Sequence, residues 1–179
     1  MNLFQDIDPG RMRREVMADG SIALSMYVAP HYRTPKHFHE HFVEHFEVLV
    51  GKEVEFGRGK QVVEVPVGGR VSVPERMVHY FHNRSPEPAI VRVSVSAEHH
   101  AFETAFLIYH GLVRDGMVNK KMHPKNFGDL ALFLKLTNSR MPGLGKYLAE
   151  PFFLRAAAKA VASGRLKELV DLYASNVHM

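Results

Sequence analysis

The chain has 179 residues, 46% of them hydrophobic and 23% charged, which suits one globular domain or one domain with an appendage. It has no Cys, which excludes a disulfide framework and a thiolate nucleophile and suits a reducing compartment. The opening MNLFQDIDPGRMRR lacks the apolar core of a secretory signal, and no apolar run is long enough to span a bilayer, so a cytoplasmic location is expected.

The first hundred residues read as short strands. SIALSMYVA (21–29) alternates, which puts Ile22, Leu24, Met26 and Val28 on one face. EHFEVLVG, KEVEFG, KQVVEVPVG, GRVSVP and AIVRVSVSA follow, parted by Gly, Pro or charged turns. Short strands with turn signals at roughly 8–12-residue spacing predict a sandwich or barrel.

The character changes after Ser96. AEHHAFETAFLIYHGLVRDG aligns Phe102, Ala105, Phe106, Tyr109, Leu112 and Val113 on one helical stripe, with Gly116 as its stop. Pro124 is expected to open a second helix, with Phe127, Leu130, Ala131 and Leu134 aligned. MPGLG (141–145) reads as a break. Pro151 is expected to open a third helix running to Ala162, Gly164 to end or kink it, and RLKELVDLYA to finish the chain. The expected division is a β-barrel over 1–98 and a helical extension over 99–179. The apolar stripes call for a partner, either the barrel or a second copy of the chain, and a homodimer is the favoured expectation.

Charge follows the same division. Residues 1–100 carry 12 Lys and Arg against 13 Asp and Glu, a net of −1; residues 101–179 carry 11 against 6, a net of +5. A basic tail raises the question of nucleic acid or an anionic membrane. Its basic residues are spaced rather than clustered and no nucleic-acid motif is present, so a solvated helical face is the preferred reading. Neither nucleic acid nor membrane is an expected partner.

Two stretches carry the chemistry. HFHEHFVEHFEVLVG (37–51) places His37, His39 and Glu44 as H-x-H-x(4)-E, with Gly51 after six intervening residues. GGRVSVPERMVHYFHN (68–83) places Gly68, Pro74, His79 and Asn83 as G-x(5)-P-x(4)-H-x(3)-N. Together they resemble the two motifs of the cupin family. That resemblance covers about residues 20–98 and implies a mainly β fold, a double-stranded β-helix or jelly-roll barrel, followed here by the α-helical region. It also implies one divalent metal bound by three histidines and a glutamate, His37, His39, His79 and Glu44. The chain departs from the pattern twice: Arg76 stands where the family has a glycine two residues after the proline, and His31 where it has a glycine six before the first histidine.

The chemistry can also be argued from the residues. His37 and His39, two apart on a strand, face one point in space. Glu44 differs from His39 in parity, so a turn or bulge near Glu40 to Val43 must intervene if both are ligands. Three imidazoles and a carboxylate suit Fe, Mn, Ni, Co or Zn and leave coordination positions open for water or substrate. A solvated, histidine-rich loop is the bland alternative for His37 and His39, and the spacing of both motifs argues against it.

The chain has 12 His. His41, His45 and His82 are read as lying outside the site, and His99 and His100 have no role. Glu40 and Glu47 are read as exposed strand charges, and Asn83 as a strand-end hydrogen-bonding residue. By parity Phe46 and Val48 follow Glu44 inward, and Phe81 follows His79, which gives an apolar lining suited to a small-molecule ligand. Arg70, Arg76 and Arg92 are read as exposed. Cupins include oxygenases, isomerases, decarboxylases and lyases, so the resemblance implies a metal-dependent enzyme with Glu44 as ligand and base without choosing the reaction. The alternatives are a non-catalytic ligand-binding or sensor module, and an interaction protein with a relic site.

Overall fold

Alternating apolar residues and frequent turns produce nine strands among the described residues of the first half, and apolar stripes produce four helices in the second. A computed structural model of the chain describes residue 8, residues 12–95 and residues 100–175, apart from the side chains of residues 145 and 146. The chain divides into two compact units, Met1–Glu98 and His99–Met179. The expected junction at 96–99, with His99, and most of the opening MNLFQDIDPGRMRR lie outside the described residues.

In the first unit, β1 (Met12–Val16), β2 (Ile22–Val28), β9 (Ala89–Val95), β4 (Glu44–Val50) and β7 (Arg70–Val73) form a five-stranded antiparallel sheet in the order β1-β2-β9-β4-β7. A three-stranded sheet has the order β6-β5-β8, with β5 at Val54–Arg58, β6 at Gln61–Val65 and β8 at His79–His82. The two-residue strand β3 is Phe38–His39. The expected closed barrel is instead two separate sheets. The segment that would join them, residues 30–37, contains Pro30 and Pro35, which lack the N–H a ladder needs, and makes only the isolated bridges Arg33↔His82 and His37↔His79.

The core lies between the sheets. Leu24, Met26 and Val28 are buried as the alternation predicts, while Ile22 of the same face is half-buried and Ala23 and Ser25 of the other face are buried as well; Phe46 of β4 meets Phe56 of β5 with ring centroids 5.0 Å apart. Strand β1 was not foreseen. Its sequence, MRREV, is charged, as befits an edge strand that must not recruit another chain. On the same sheet Arg92 pairs with Glu47 at 2.9 Å and Glu15 at 2.7 Å, while Arg70 pairs with Glu47 at 3.2 Å. Arg92 therefore reaches past its register partner Ser25, a small residue that leaves the way to β1 open.

The helical unit holds α1 (His100–Arg114), α2 (Phe127–Leu136), α3 (Leu144–Ala162) and α4 (Arg165–Tyr173). Ile108, Leu112, Ala131, Leu132, Ala157, Ala160 and Leu169 form its core. Gly111 lets the Tyr173 ring lie against α1, where an added Cβ would sit 2.3 Å from that ring. Two helix starts differ from expectation. Helix α2 begins at Phe127 rather than Pro124, because the Asn126 side chain caps it by accepting from the Gly128 and Asp129 amides. Phe127 of the expected stripe is exposed, while Asp129 is buried in a two-pronged pair with Arg165, at 2.9 and 2.8 Å. Helix α3 begins at Leu144 and carries Pro151 inside it: Leu144–Glu150 is rich in helix formers, which offset the bond the proline cannot donate and the crowding of its ring against the preceding turn. No helix among the described residues is long and apolar enough to cross a membrane.

Asn83 closes the turn after β8 from a fully buried position. Its Nδ2 donates to the carbonyls of Val28, Ala29 and Glu87, and its Oδ1 accepts from the Ser85 amide. Asn83→Ala leaves these groups buried and unpaired, so the expected loss is about 1–3 kcal/mol of stability for each group left unsatisfied, read as a lower denaturation midpoint. An unchanged midpoint would contradict this role.

Candidate metal centre

His37 and His79 are 42 positions apart in sequence, yet their backbones exchange two hydrogen bonds, His37 N–H to His79 O at 3.1 Å and His79 N–H to His37 O at 2.8 Å. Directly opposed residues of an antiparallel pair project to the same side. The two rings accordingly lie with centroids 4.2 Å apart. His39 follows His37 by two residues and arrives on the same side, its ring 5.0 Å from His37 and 5.3 Å from His79. The chain then bends at Glu40 and His41 before β4 begins at Glu44. That bend resolves the parity mismatch and turns the Glu44 carboxylate toward the imidazoles.

One ligand atom from each of His37, His39, Glu44 and His79 lies within 4.8 Å of the others. Glu44 Oε2 is 2.9 Å from His79 Nε2 and 3.2 Å from His39 Nε2. His39, Glu44 and His79 are buried and His37 is half-buried, so the quartet meets solvent on the His37 side.

Two backbone carbonyls set the tautomers. His37 Nδ1–H donates to Pro35 O at 2.8 Å and His79 Nδ1–H donates to Met77 O at 3.0 Å. Each acceptor lies two residues upstream of its histidine. With the proton held at Nδ1, the Nε2 lone pair is available to a metal. His79 Nε2 and Glu44 Oε2 are close, yet both are buried without a directed hydrogen bond. With His79 neutral these are two buried acceptors facing one another, an arrangement relieved either by a proton on Nε2 or by a cation between them. This residue set fits a divalent metal.

The four groups perturb one another. Burial first, and then the neighbouring His79 and His39 rings, push the His37 imidazole down to about 3, so it is a neutral donor at neutral pH. Burial would raise the Glu44 carboxyl, but His39 and His79 outweigh it and hold it well below the usual carboxylate range. Burial would lower the His79 imidazole, but contact with Glu44 outweighs it and the net direction is upward.

The surroundings sort the other candidates. Phe42 stacks on His39 with centroids 4.6 Å apart, a contact the sequence did not signal. Phe46 and Val48 are buried beside Glu44 as parity predicts, and Phe81 lies 6.0 Å from Phe46. His41 and His45 are exposed. His82 lies with Glu55 and Tyr80 on the opposite face of β8 from His79. There a buried Glu55 accepts from Tyr80 at 2.9 Å and pairs with Arg84 at 2.7 Å. Glu40 is half-buried, and Glu47 belongs to the Arg70–Arg92 pairs rather than to a carboxylate dyad. Arg70 and Arg76 are exposed as expected, whereas Arg92 is half-buried.

Both departures from the cupin glycine pattern take the backbone that glycine favours. His31 has φ 57° and Arg76 has φ 61°. The Arg76 amide donates to His39 O at 2.7 Å, so its left-handed turn anchors β3. Gly51 (φ 111°) is a true glycine position, because an added Cβ would meet Ala89 Cα and Pro88 O at 2.9 Å. Left-handed backbone disfavours an ordinary residue by roughly 1–2 kcal/mol, offset in glycine by about 0.5–1 kcal/mol of chain entropy. Arg76→Gly is therefore expected to hold or slightly raise the melting temperature, and Gly51→Ala to lower it. The opposite order in thermal denaturation would show that the Arg76 side chain itself stabilises the turn.

No family model matches the sequence, and no curated protein matches it. The solved structures it resembles include cupin and double-stranded β-helix proteins. A protein of Klebsiella pneumoniae with a double-stranded β-helix domain is 23% identical, with 52% of this chain and 79% of that one covered and a TM-score of 0.42. A cupin-2 domain protein of Rhodospirillum rubrum is 18% identical over 48% of this chain and 58% of its own, with a TM-score of 0.43. An oxalate oxidase in complex with the substrate analogue glycolate is 16% identical over 53% of this chain and 57% of its own, with a TM-score of 0.42.

Proposed function

We propose that the chain binds one divalent metal ion through His37, His39, Glu44 and His79 and acts as a metal-dependent enzyme on a small molecule. The observation that supports this most is the convergence of three imidazoles and one carboxylate within 4.8 Å in a largely buried setting, two of the rings having their Nδ1–H tied to backbone carbonyls. Three nitrogens and one oxygen suit Fe(II), Mn(II), Ni(II), Co(II) or Zn(II). An ion held there supplies Lewis-acid polarisation of a substrate oxygen.

The chain's own residues do the rest. The Pro35 and Met77 carbonyls hold His37 and His79 in the tautomer that ligation needs. Glu44 brings the negative charge of the quartet. Phe42 against the His39 ring and Phe46 against the His79 ring give the site an apolar wall on their side.

Elemental analysis of protein purified without a histidine tag is expected to find one divalent ion per chain. His37→Ala with His39→Ala removes two ligands from one side, and is expected to bring the metal content to background while the protein still melts cooperatively. His41→Ala and His82→Ala are each expected to retain the full metal content. Stoichiometric metal in the double variant, or its loss in either single variant, would overturn the assignment.

A further inference from the structure

We infer that the outward face of α3 docks on an anionic lipid surface, lying along it without crossing it. Helix α3 is apolar on two sides. Phe153, Ala156, Ala157 and Ala160 face the core of the helical unit. The opposite side carries Leu144, Tyr147, Leu148 and Phe152, which are 76%, 74%, 69% and 69% exposed. Steps of three and four residues set these four on one face, and the exposed Leu154 and Val161 continue it toward the end of the helix. A helix that is apolar all round needs cover on every side, and the core covers only one.

The charge on this face has one sign. Among the described residues, every exposed position of α3 is apolar except Arg155 and Lys159, which are basic. The single acid of the helix, Glu150, is half-buried and paired with Arg140. Arg155 and Lys159 follow Phe152 by one and two turns, on the same side. In the sequence the basic residues of the tail are spaced rather than clustered, which argued against a membrane. The folded helix gathers two of them beside the apolar side chains. Leucine and aromatic residues with cations and no acid suit a helix lying in a bilayer interface. Its apolar side chains enter the acyl boundary, and its cations reach anionic headgroups on their long stems. No helix among the described residues is long and apolar enough to cross a membrane, so the contact is with its surface.

A second copy of the chain fits this face less well. The four most exposed side chains offer on the order of 500 Å² of apolar surface, short of the roughly 800 Å² per partner of a stable protein interface. A second copy would also set its own Arg155 and Lys159 against those of the first, with no acid on either face to pair them. An anionic lipid surface supplies both the apolar cover and the missing negative charge.

The chain has no Trp, so a single Phe152→Trp substitution reports on this face alone. The full chain is mixed with vesicles of phosphatidylcholine, with or without phosphatidylglycerol, and binding is read by flotation and by Trp emission. Partition onto the phosphatidylglycerol vesicles is expected to be at least about tenfold stronger than onto phosphatidylcholine alone. The Trp emission is expected to shift to the blue and to be quenched by brominated acyl chains. Leu148→Ser with Phe152→Ser, and separately Arg155→Glu with Lys159→Glu, are each expected to weaken binding at least about tenfold while the protein still melts cooperatively. If either pair fails to fold, the Trp shift and its quenching decide. No binding to anionic vesicles, equal binding to both compositions, an unshifted and unquenched Trp, or binding unaltered in both folded variants would each overturn the inference. So would a dimer that Leu148→Ser with Phe152→Ser dissociates and that vesicles leave intact, which would assign the face to a second copy.

Discussion

The site depends on one backbone contact, the reciprocal hydrogen bonding of His37 and His79. Residues 30–37 run beside β8 without forming a continuous ladder, and this pair with the Arg33↔His82 bridge makes up their isolated bridges. Because opposed residues share a face, the contact alone brings two imidazoles within 4.2 Å across 42 residues of sequence. His39 then joins by strand periodicity, and Glu44 joins because the chain bends between them. Main-chain geometry holds the three imidazoles and the carboxylate together.

Support for this arrangement is distributed. The Arg76 amide holds the carbonyl of His39, Phe42 stacks on the His39 ring, and the Pro35 and Met77 carbonyls orient the other two rings. The Phe42, Pro35 and Met77 contacts are local, within two or three residues of the histidine each touches, whereas Arg76 lies 37 positions from His39. Arginine and histidine at the two left-handed positions show that the turn geometry, rather than glycine itself, is what the site requires. His31 and Arg76 keep the backbone path at the expense of some conformational strain, whereas Gly51 has no such freedom because another strand end presses against it.

Much of this was legible in the sequence. Period-two alternation placed Leu24, Met26, Val28, Phe46 and Val48 inside, and the parity difference between His39 and Glu44 called for the bend that is found. The H-x-H-x(4)-E and P-x(4)-H spacings picked out the four residues that meet. Other features were hidden for physical reasons. Strand β1 is too charged to show apolar alternation. Asn126 overrode Pro124 as the start of α2 because a side-chain acceptor satisfies free amides and a proline does not. Pro151 sits inside α3 because the helix formers before it offset the lost bond and the crowding of its ring. The buried Glu55 is sustained by Tyr80 and Arg84, neighbours that only the fold supplies.

The central claim is that His37, His39, Glu44 and His79 form one coordination sphere. X-ray absorption spectroscopy of the Co(II)- or Zn(II)-loaded protein reads that sphere directly. The account predicts a first shell of nitrogen and oxygen scatterers, with outer-shell scattering that requires three imidazoles and that falls to two in a metal-retaining His79→Ala variant. A spectrum fitted by one imidazole or none, or one unaltered by loss of His79, would contradict it.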